Sequence, residues 1–302
     1  MSKVYIPWTL ARHSLTLMRR STQENIRTHF HQVPTGIFCP ADLSNFVDEY
    51  RRESGESGLS VEQVEKFLHK EGLLRRAVLV STQYPPIIRY LRGRPSPYEL
   101  AVSLRRDSFL CHKTALVLHG IESPTTTIYV NKEQGPKPEP ERMTQEGINR
   151  AFKNRQRQSN YRLRYGGSEF VLLSGKNTRR AGVVRMTAPD GAAVNTTDPE
   201  RTLIDMAVRP AYAGGLRRVL SAYKQAVSKI DVDHMIGLLR KLDHAYPYHQ
   251  SIGFLLQRAE RPDRDCKRFQ DLGVEFDFYL DYGLKHPAYH RKWRLYIPTF
   301  LT

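Results

Sequence analysis

The side chains best suited to chemistry are acids and histidines, and their spacing favours structural roles over catalysis. Arg201 and Asp205 lie four apart just after Asp198-Pro199-Glu200. At that spacing helical side chains meet, so a structural ion pair is expected. His112 and His119, two helical turns apart on one face, are expected to be buried, hydrogen-bonded groups and not metal ligands. His29, His31 and Cys39 are too loosely arranged for zinc. A metal-dependent nuclease needs converging carboxylates and usually a lysine. Asp190 and the run Asp265-Cys266-Lys267 would have to supply them, but they are far apart, and the run falls in a predicted helix beside Pro262. The sequence has neither a GxxxxGK phosphate loop nor a GxSxG elbow. The expectation is a non-enzyme with no catalytic residue, metal site or cofactor.

Charge points to a different chemistry. The 302 residues carry a formal net charge of +16, which favours a polyanionic partner. Leu73 to Arg106 holds seven Arg and one acid, and Arg142 to Arg180 holds ten Lys or Arg and two acids. The basicity is therefore local. In the first stretch and the helix before it, the expected DNA contacts are Ser60, Gln63, Lys66 and Lys70, with Arg75, Arg76, Arg89, Arg92 and Arg94 around a β-hairpin. Gln63 suits a base edge, and the arginines suit phosphates or a narrow minor groove. Glu62 and Glu65 on the same helix work against it, so the hairpin is the stronger candidate. In the second stretch Arg155, Arg157, Arg179 and Arg180 form a candidate basic face.

The elements that must position these groups follow from periodicity. A helix is predicted from about Leu15 to Gln32, a second after Pro40 with Leu43, Phe46, Val47 and Tyr50 inward, and a third capped by Ser60 and Gln63. A basic two-stranded hairpin through Tyr84-Pro85-Pro86 follows. Three short helices and a hairpin outline a winged helix-turn-helix over residues 1–95. A mixed α/β domain is expected over residues 96–302, making the chain α+β. There, SPYELAVSL and SFLCHKTALVLHGI are predicted to be helices. TTTIYVN, YRLRYGG, EFVLL, GVVRMTA and AAVNTT are expected strands. Amphipathic helices then follow from Asp198, and strands return at FDFYL and WRLYI. Cys39, Cys111 and Cys266 are expected as free, mostly buried thiols. With no long apolar run and no signal-peptide pattern at the start, a cytoplasmic, nucleoid-associated protein without a membrane partner is expected.

Three segments, SFLCHKTALVLHGI, TDPERTLIDMAVRPAYAGGLRRVL and HQSIGFLLQRA, resemble the successive signatures of the AbiEi-type antitoxin and transcriptional-regulator family. The resemblance covers most of the chain after Ser96; Cys111 departs from it, a small hydroxyl residue being expected before the His. It implies an antitoxin of a type IV toxin–antitoxin (abortive infection, phage defence) system. Such a protein represses its own promoter by binding inverted repeats in double-stranded DNA. It counteracts a nucleotidyltransferase-like toxin, with no stable complex required. Two alternatives remain open at this level: a basic module that binds protein or RNA without promoter specificity, and the metal-dependent nuclease.

Overall fold

The computed structural model describes residues 18–136, 138 and 143–302, so the predicted helical residues Leu15 and Leu17 lie outside the described part. The fold is α+β, and the chain divides into two compact units. One comprises residues 1–77 and 88–94, the other residues 78–87 and 95–302. The last break falls beside the expected boundary at 95, but the hairpin tip, 78–87, belongs to the larger unit.

In the smaller unit, α1 (Arg20–Gln32) buries Ile26 and Phe30, spaced one helical turn apart. Strand β1 (Ile37–Phe38) leads into α2 (Pro40–Ser54), which has Pro at its first position and ends on the left-handed Gly55. Helix α3 (Val61–Lys70) is fixed by the expected capping box: Ser60 Oγ accepts from Gln63 N at 3.2 Å and Gln63 Oε1 accepts from Ser60 N at 2.8 Å. Phe30, Phe38, Phe46, Tyr50 and Phe67 belong to the core of this unit. Strands β2 (Arg75–Leu79) and β3 (Ile87–Leu91) complete a three-stranded sheet ordered β1-β3-β2, with Phe38 opposite Tyr90. The third strand, β1, has only two residues, below the length at which periodicity is visible.

The larger unit is built on a mixed six-stranded sheet. Helix α4 (Pro97–Ser103) precedes β4 (Phe109–Leu110), so Ser108-Phe109-Leu110 does not join the predicted helix. Only α5 (His112–Leu118) does. Then come β5 (Thr127–Glu133), α6 (Gln145–Phe152), which the sequence reading missed, β6 (Arg162–Tyr165), β7 (Ser168–Gly175), β8 (Val183–Thr187) and β9 (Ala193–Thr197). The sheet order is β6-β7-β5-β4-β9-β8. Strands β5 and β7 run parallel from Thr127↔Glu169 to Glu133↔Gly175, so their carboxyl ends finish side by side. Gly166 and Gly167, both at positive φ, close the β6–β7 hairpin, a two-residue turn that demands this conformation.

Helices α7 (Pro199–Val208), α8 (Leu216–Ala226), α9 (Val232–Leu242), α10 (Tyr248–Arg258) and α11 (Asp263–Gln270) form the second layer and contribute most of the larger core. A small sheet of β10 (Phe278–Tyr279), β11 (Ala288–His290) and β12 (Leu295–Ile297) ends the chain. Cys111 and Cys266 are buried, Cys39 is half-buried, and all three are free. Among the described residues no helix is long and apolar enough to cross a membrane.

Candidate functional site

The cationic side chains expected to touch DNA divide into two groups. Lys66, Lys70, Arg75, Arg76 and Arg94 are exposed. Lys66 is paired with Glu62 at 2.6 Å, a surface contact that water screens. Tyr90 Oη donates to Glu65 at 2.8 Å, so this acid is engaged with the sheet. Gln63 has given its carbonyl to the cap, and only its amide nitrogen remains to meet a base.

Arg89 and Arg92, expected on the DNA-facing surface, are instead turned to main-chain carbonyls. Arg89 is buried; its guanidinium donates to Ile88 O at 2.7 Å, and desolvation pushes its pKa down. Arg92 lies over the Phe30 ring and donates to Phe30 O at 2.9 Å. Arg92, half-buried, follows the end of β3 and reaches the core at Phe30, whereas alternation along β3 puts Arg89 on the face opposite Ile88 and Tyr90, which pack into that core. The hairpin tip is also committed. Val80 and Arg164 exchange backbone hydrogen bonds at 3.1 and 2.8 Å, and Tyr84 stacks on Tyr161 with centroids 4.1 Å apart. The tip is thus held on β6, and the exposed cations of this region lie on α3, on β2 and at Arg94.

In the larger unit the expected basic face does not form one surface. Arg157 and Arg179 line a cavity of about 1160 Å³, whereas Arg180 donates to Asp107 O at 2.6 Å and lies over Phe109, and Arg155 is exposed outside the cavity lining. The cavity opens beside the carboxyl ends of β5 and β7. Gln134 lines it after β5, and Lys176 to Arg179 line it after β7. That second loop is held from below by Glu133, which accepts from Thr178 N at 3.1 Å, Arg180 N at 3.2 Å and the Thr178 hydroxyl. Gly175 passes so close to Asn131 that a Cβ would stand 2.8 Å from Asn131 Nδ2.

Arg201 and Asp205 form the expected ion pair, 2.8 Å apart and buried, on one wall of the cavity. Arg201 also donates to Ala181 O at 2.7 Å and to Thr178 Oγ1 at 3.2 Å. His119 is hydrogen-bonded as expected, its Nε2 lying 2.7 Å from Thr197 O. His112 departs from the expectation. Its Nδ1 is buried with no hydrogen-bond partner among the described residues, its backbone stands at φ +51°, and burial pushes its pKa down to about 4.

The nuclease candidates are engaged elsewhere: Asp190 accepts from Ser96 Oγ at 2.6 Å, and Asp265 in the first turn of α11 pairs at 2.7 Å with Arg261, which precedes that helix. Sequence reading missed a cluster of Asp198, Glu200 and His234, whose ligand-type atoms lie within 4.8 Å of one another. All three already have partners. Asp198 caps α7 through Arg201 N and meets His234 Nε2 at 2.9 Å, raising the histidine's pKa, while Glu200 accepts from Asp231 N at 2.7 Å. These bonds tie the start of α7 to the start of α9.

No protein-family model matches the chain, and no curated protein matches it. Among solved structures, the Rv2827c protein from Mycobacterium tuberculosis is similar. It is 14% identical, with 90% of this chain and 89% of that chain covered at a TM-score of 0.54. That likeness shows a shared fold.

Proposed function

We propose that the chain is a double-stranded-DNA-binding transcriptional repressor whose smaller unit is a winged helix, and that it serves as an antitoxin of the AbiEi type. The observation that carries the DNA-binding reading is the element order of the smaller unit: helix, strand, two helices, then two strands, with β1 returning to pair with β3. In a winged helix of this order the second helix of the closing pair enters the major groove, and here that is α3, with Lys66 and Lys70 exposed. Arg75, Arg76 and Arg94 add phosphate contacts beside it. The antitoxin half of the proposal rests on the three sequence segments that resemble the family.

Fluorescence anisotropy with DNA from the protein's own promoter tests the first half. Lys70, Arg75, Arg76 and Arg94 would release counterions from about four phosphates, giving a log–log salt slope of about −3.6. Arg75→Glu with Arg94→Glu should flatten that slope by about 2 and weaken binding. An affinity indifferent to salt would refute the DNA assignment. The second half is tested by growth rescue against a nucleotidyltransferase-like toxin encoded beside the gene.

A further inference from the structure

We infer that the cavity at the carboxyl ends of β5 and β7 binds a small phosphate ester of nucleotide size. The site lies wholly in the larger unit and does not depend on the DNA-binding reading.

Its charge is the first reason. Arg157, Lys176, Arg179, Arg201, Arg209 and Lys241 line the cavity, against the carboxylates of Asp205 and Asp243. Each of those acids is already matched: Asp205 with Arg201 at 2.8 Å, Asp243 with Lys176 at 3.2 Å. Arg157, Arg179, Arg209 and Lys241 therefore face the cavity with no carboxylate partner among the described residues. Planar guanidinium groups match phosphate oxygens, and several lining one open cleft recognise a multiply charged anion.

Size and chemistry of the walls narrow the class. About 1160 Å³ is far more than an inorganic ion fills and somewhat exceeds the usual span of small-molecule sites, roughly 300–1000 Å³. One wall is aromatic: His112 and Tyr212 have ring centroids 5.1 Å apart, with Tyr212 anchored by accepting a hydrogen bond from Ser159 N at 2.8 Å. His112 is 7% exposed, yet its Nδ1 lacks a partner among the described residues. A buried polar atom without one is costly, and a base or sugar edge lying against this wall would supply it. The backbone adds a further sign. His112, Arg179 and Asp243 all hold left-handed conformations while lining the same cavity, and non-glycine residues so held concentrate at ligand sites. The location agrees as well, since ligands of sheets with parallel strands collect beyond the strands' carboxyl ends.

The phosphates would lie among Arg157, Arg179, Arg209 and Lys241, and the nucleoside against His112 and Tyr212. Calorimetric titration of the full chain with ATP, GTP, CTP, UTP and pyrophosphate tests this. At least one nucleotide should bind with a Kd below about 100 µM, at least about tenfold tighter than pyrophosphate. Arg157→Glu with Arg209→Glu should weaken that nucleotide by about 100-fold, and Arg106→Glu, outside the cavity, should leave it unchanged. His112→Phe should weaken the nucleotide by about tenfold and pyrophosphate not at all, provided thermal unfolding shows the variant folded. If that variant does not fold, Tyr212→Leu makes the same comparison. A 5′-phosphorylated trinucleotide identifies the source: tighter binding than the mononucleotide assigns the site to a nucleic-acid end, and weaker binding assigns it to the free nucleotide. Either outcome retains the phosphate ester. No saturation by any nucleotide up to about 1 mM, pyrophosphate binding as tightly as the best nucleotide, or full affinity in the double arginine variant would overturn the inference.

Discussion

Replacing Gly253 by Ala sets two physical effects of known size against each other. In a helix interior Ala is favoured over Gly by about 1 kcal/mol, so propensity alone makes Gly253→Ala stabilising. The packing says the opposite. A Cβ at Gly253 would lie 2.2 Å from Trp293 Cη2, 2.4 Å from Cζ3 and 2.9 Å from Phe269 Cβ. Carbon atoms rest about 3.5–4.0 Å apart, so the indole would have to retreat by more than about 1 Å. It has nowhere to go: Trp293 is fully buried, its Nε1 donates to Gln257 Oε1 at 2.7 Å, and its carbonyl accepts from Gln250 Nε2 at 2.8 Å. Overpacking of a rigid core costs about 1–3 kcal/mol and sometimes more, and this contact belongs at the upper end. The expected net loss is about 2 kcal/mol, or a fall in Tm of roughly 4–8 °C for a unit of this size. Gly237 on α9 is the matched control, since a Cβ there meets nothing within 4 Å, and Gly237→Ala should gain about 1 kcal/mol. Urea unfolding of both variants, with Trp293→Leu added to relieve the first, measures each term. Should Gly253→Ala prove as stabilising as Gly237→Ala, the Trp293 packing argument is wrong.

Other expectations follow from single contacts. His112 is held neutral in the fold with its pKa lowered from 6.5 to about 4, so its contribution is complete above pH 6.5 and is lost as pH falls toward 4. Urea unfolding at pH 7.5 and 4.5 should show a drop of up to roughly 3 kcal/mol that His112→Gln reduces. Asp205→Ala strands the buried Arg201 charge and should cost about 3–5 kcal/mol, whereas Arg201→Met with Asp205→Leu should recover much of it, as calorimetry can show. Arg89→Glu buries an unpaired acid and should lower Tm sharply, while Arg94→Glu should weaken DNA binding without changing Tm.

The elements whose signals are local were legible in the sequence. Ser60 with Gln63, Pro40, Asp198-Pro199 and Gly214-Gly215 mark helix ends where the chain makes them. Arg201 and Asp205 meet because both lie on one helix. What escaped depends on partners distant in sequence. Arg92 looks like surface charge until it meets Phe30, Arg89 until the fold buries it, and β1 exists only because β3 pairs with it. The cavity joins Arg157, Arg179, Arg209 and Lys241 from four separate segments, and no periodicity links them. Nor does sequence spacing say that the Asp198, Glu200 and His234 side chains converge. Gly253 carried a usable signal, an isolated glycine inside an apolar helix, which commonly marks close packing.

Because residues 78–87 belong to the larger unit while the segments on either side belong to the smaller, the chain passes between the units three times, near 77, 87 and 94. A protease cutting after Arg94 would sever the only covalent path between 1–94 and 95–302, leaving the Val80–Arg164 hydrogen bonds and the Tyr84–Tyr161 stack to hold the 78–87 segment on β6. A gene truncated at codon 95 would instead encode a hairpin whose Val80 and Tyr84 had lost Arg164 and Tyr161. Testing the two proposed activities by deletion thus confounds loss of the second unit with damage to the first. Point substitution is the cleaner dissection, and a circularly permuted chain opened within 78–87 would show how far each unit depends on that strap.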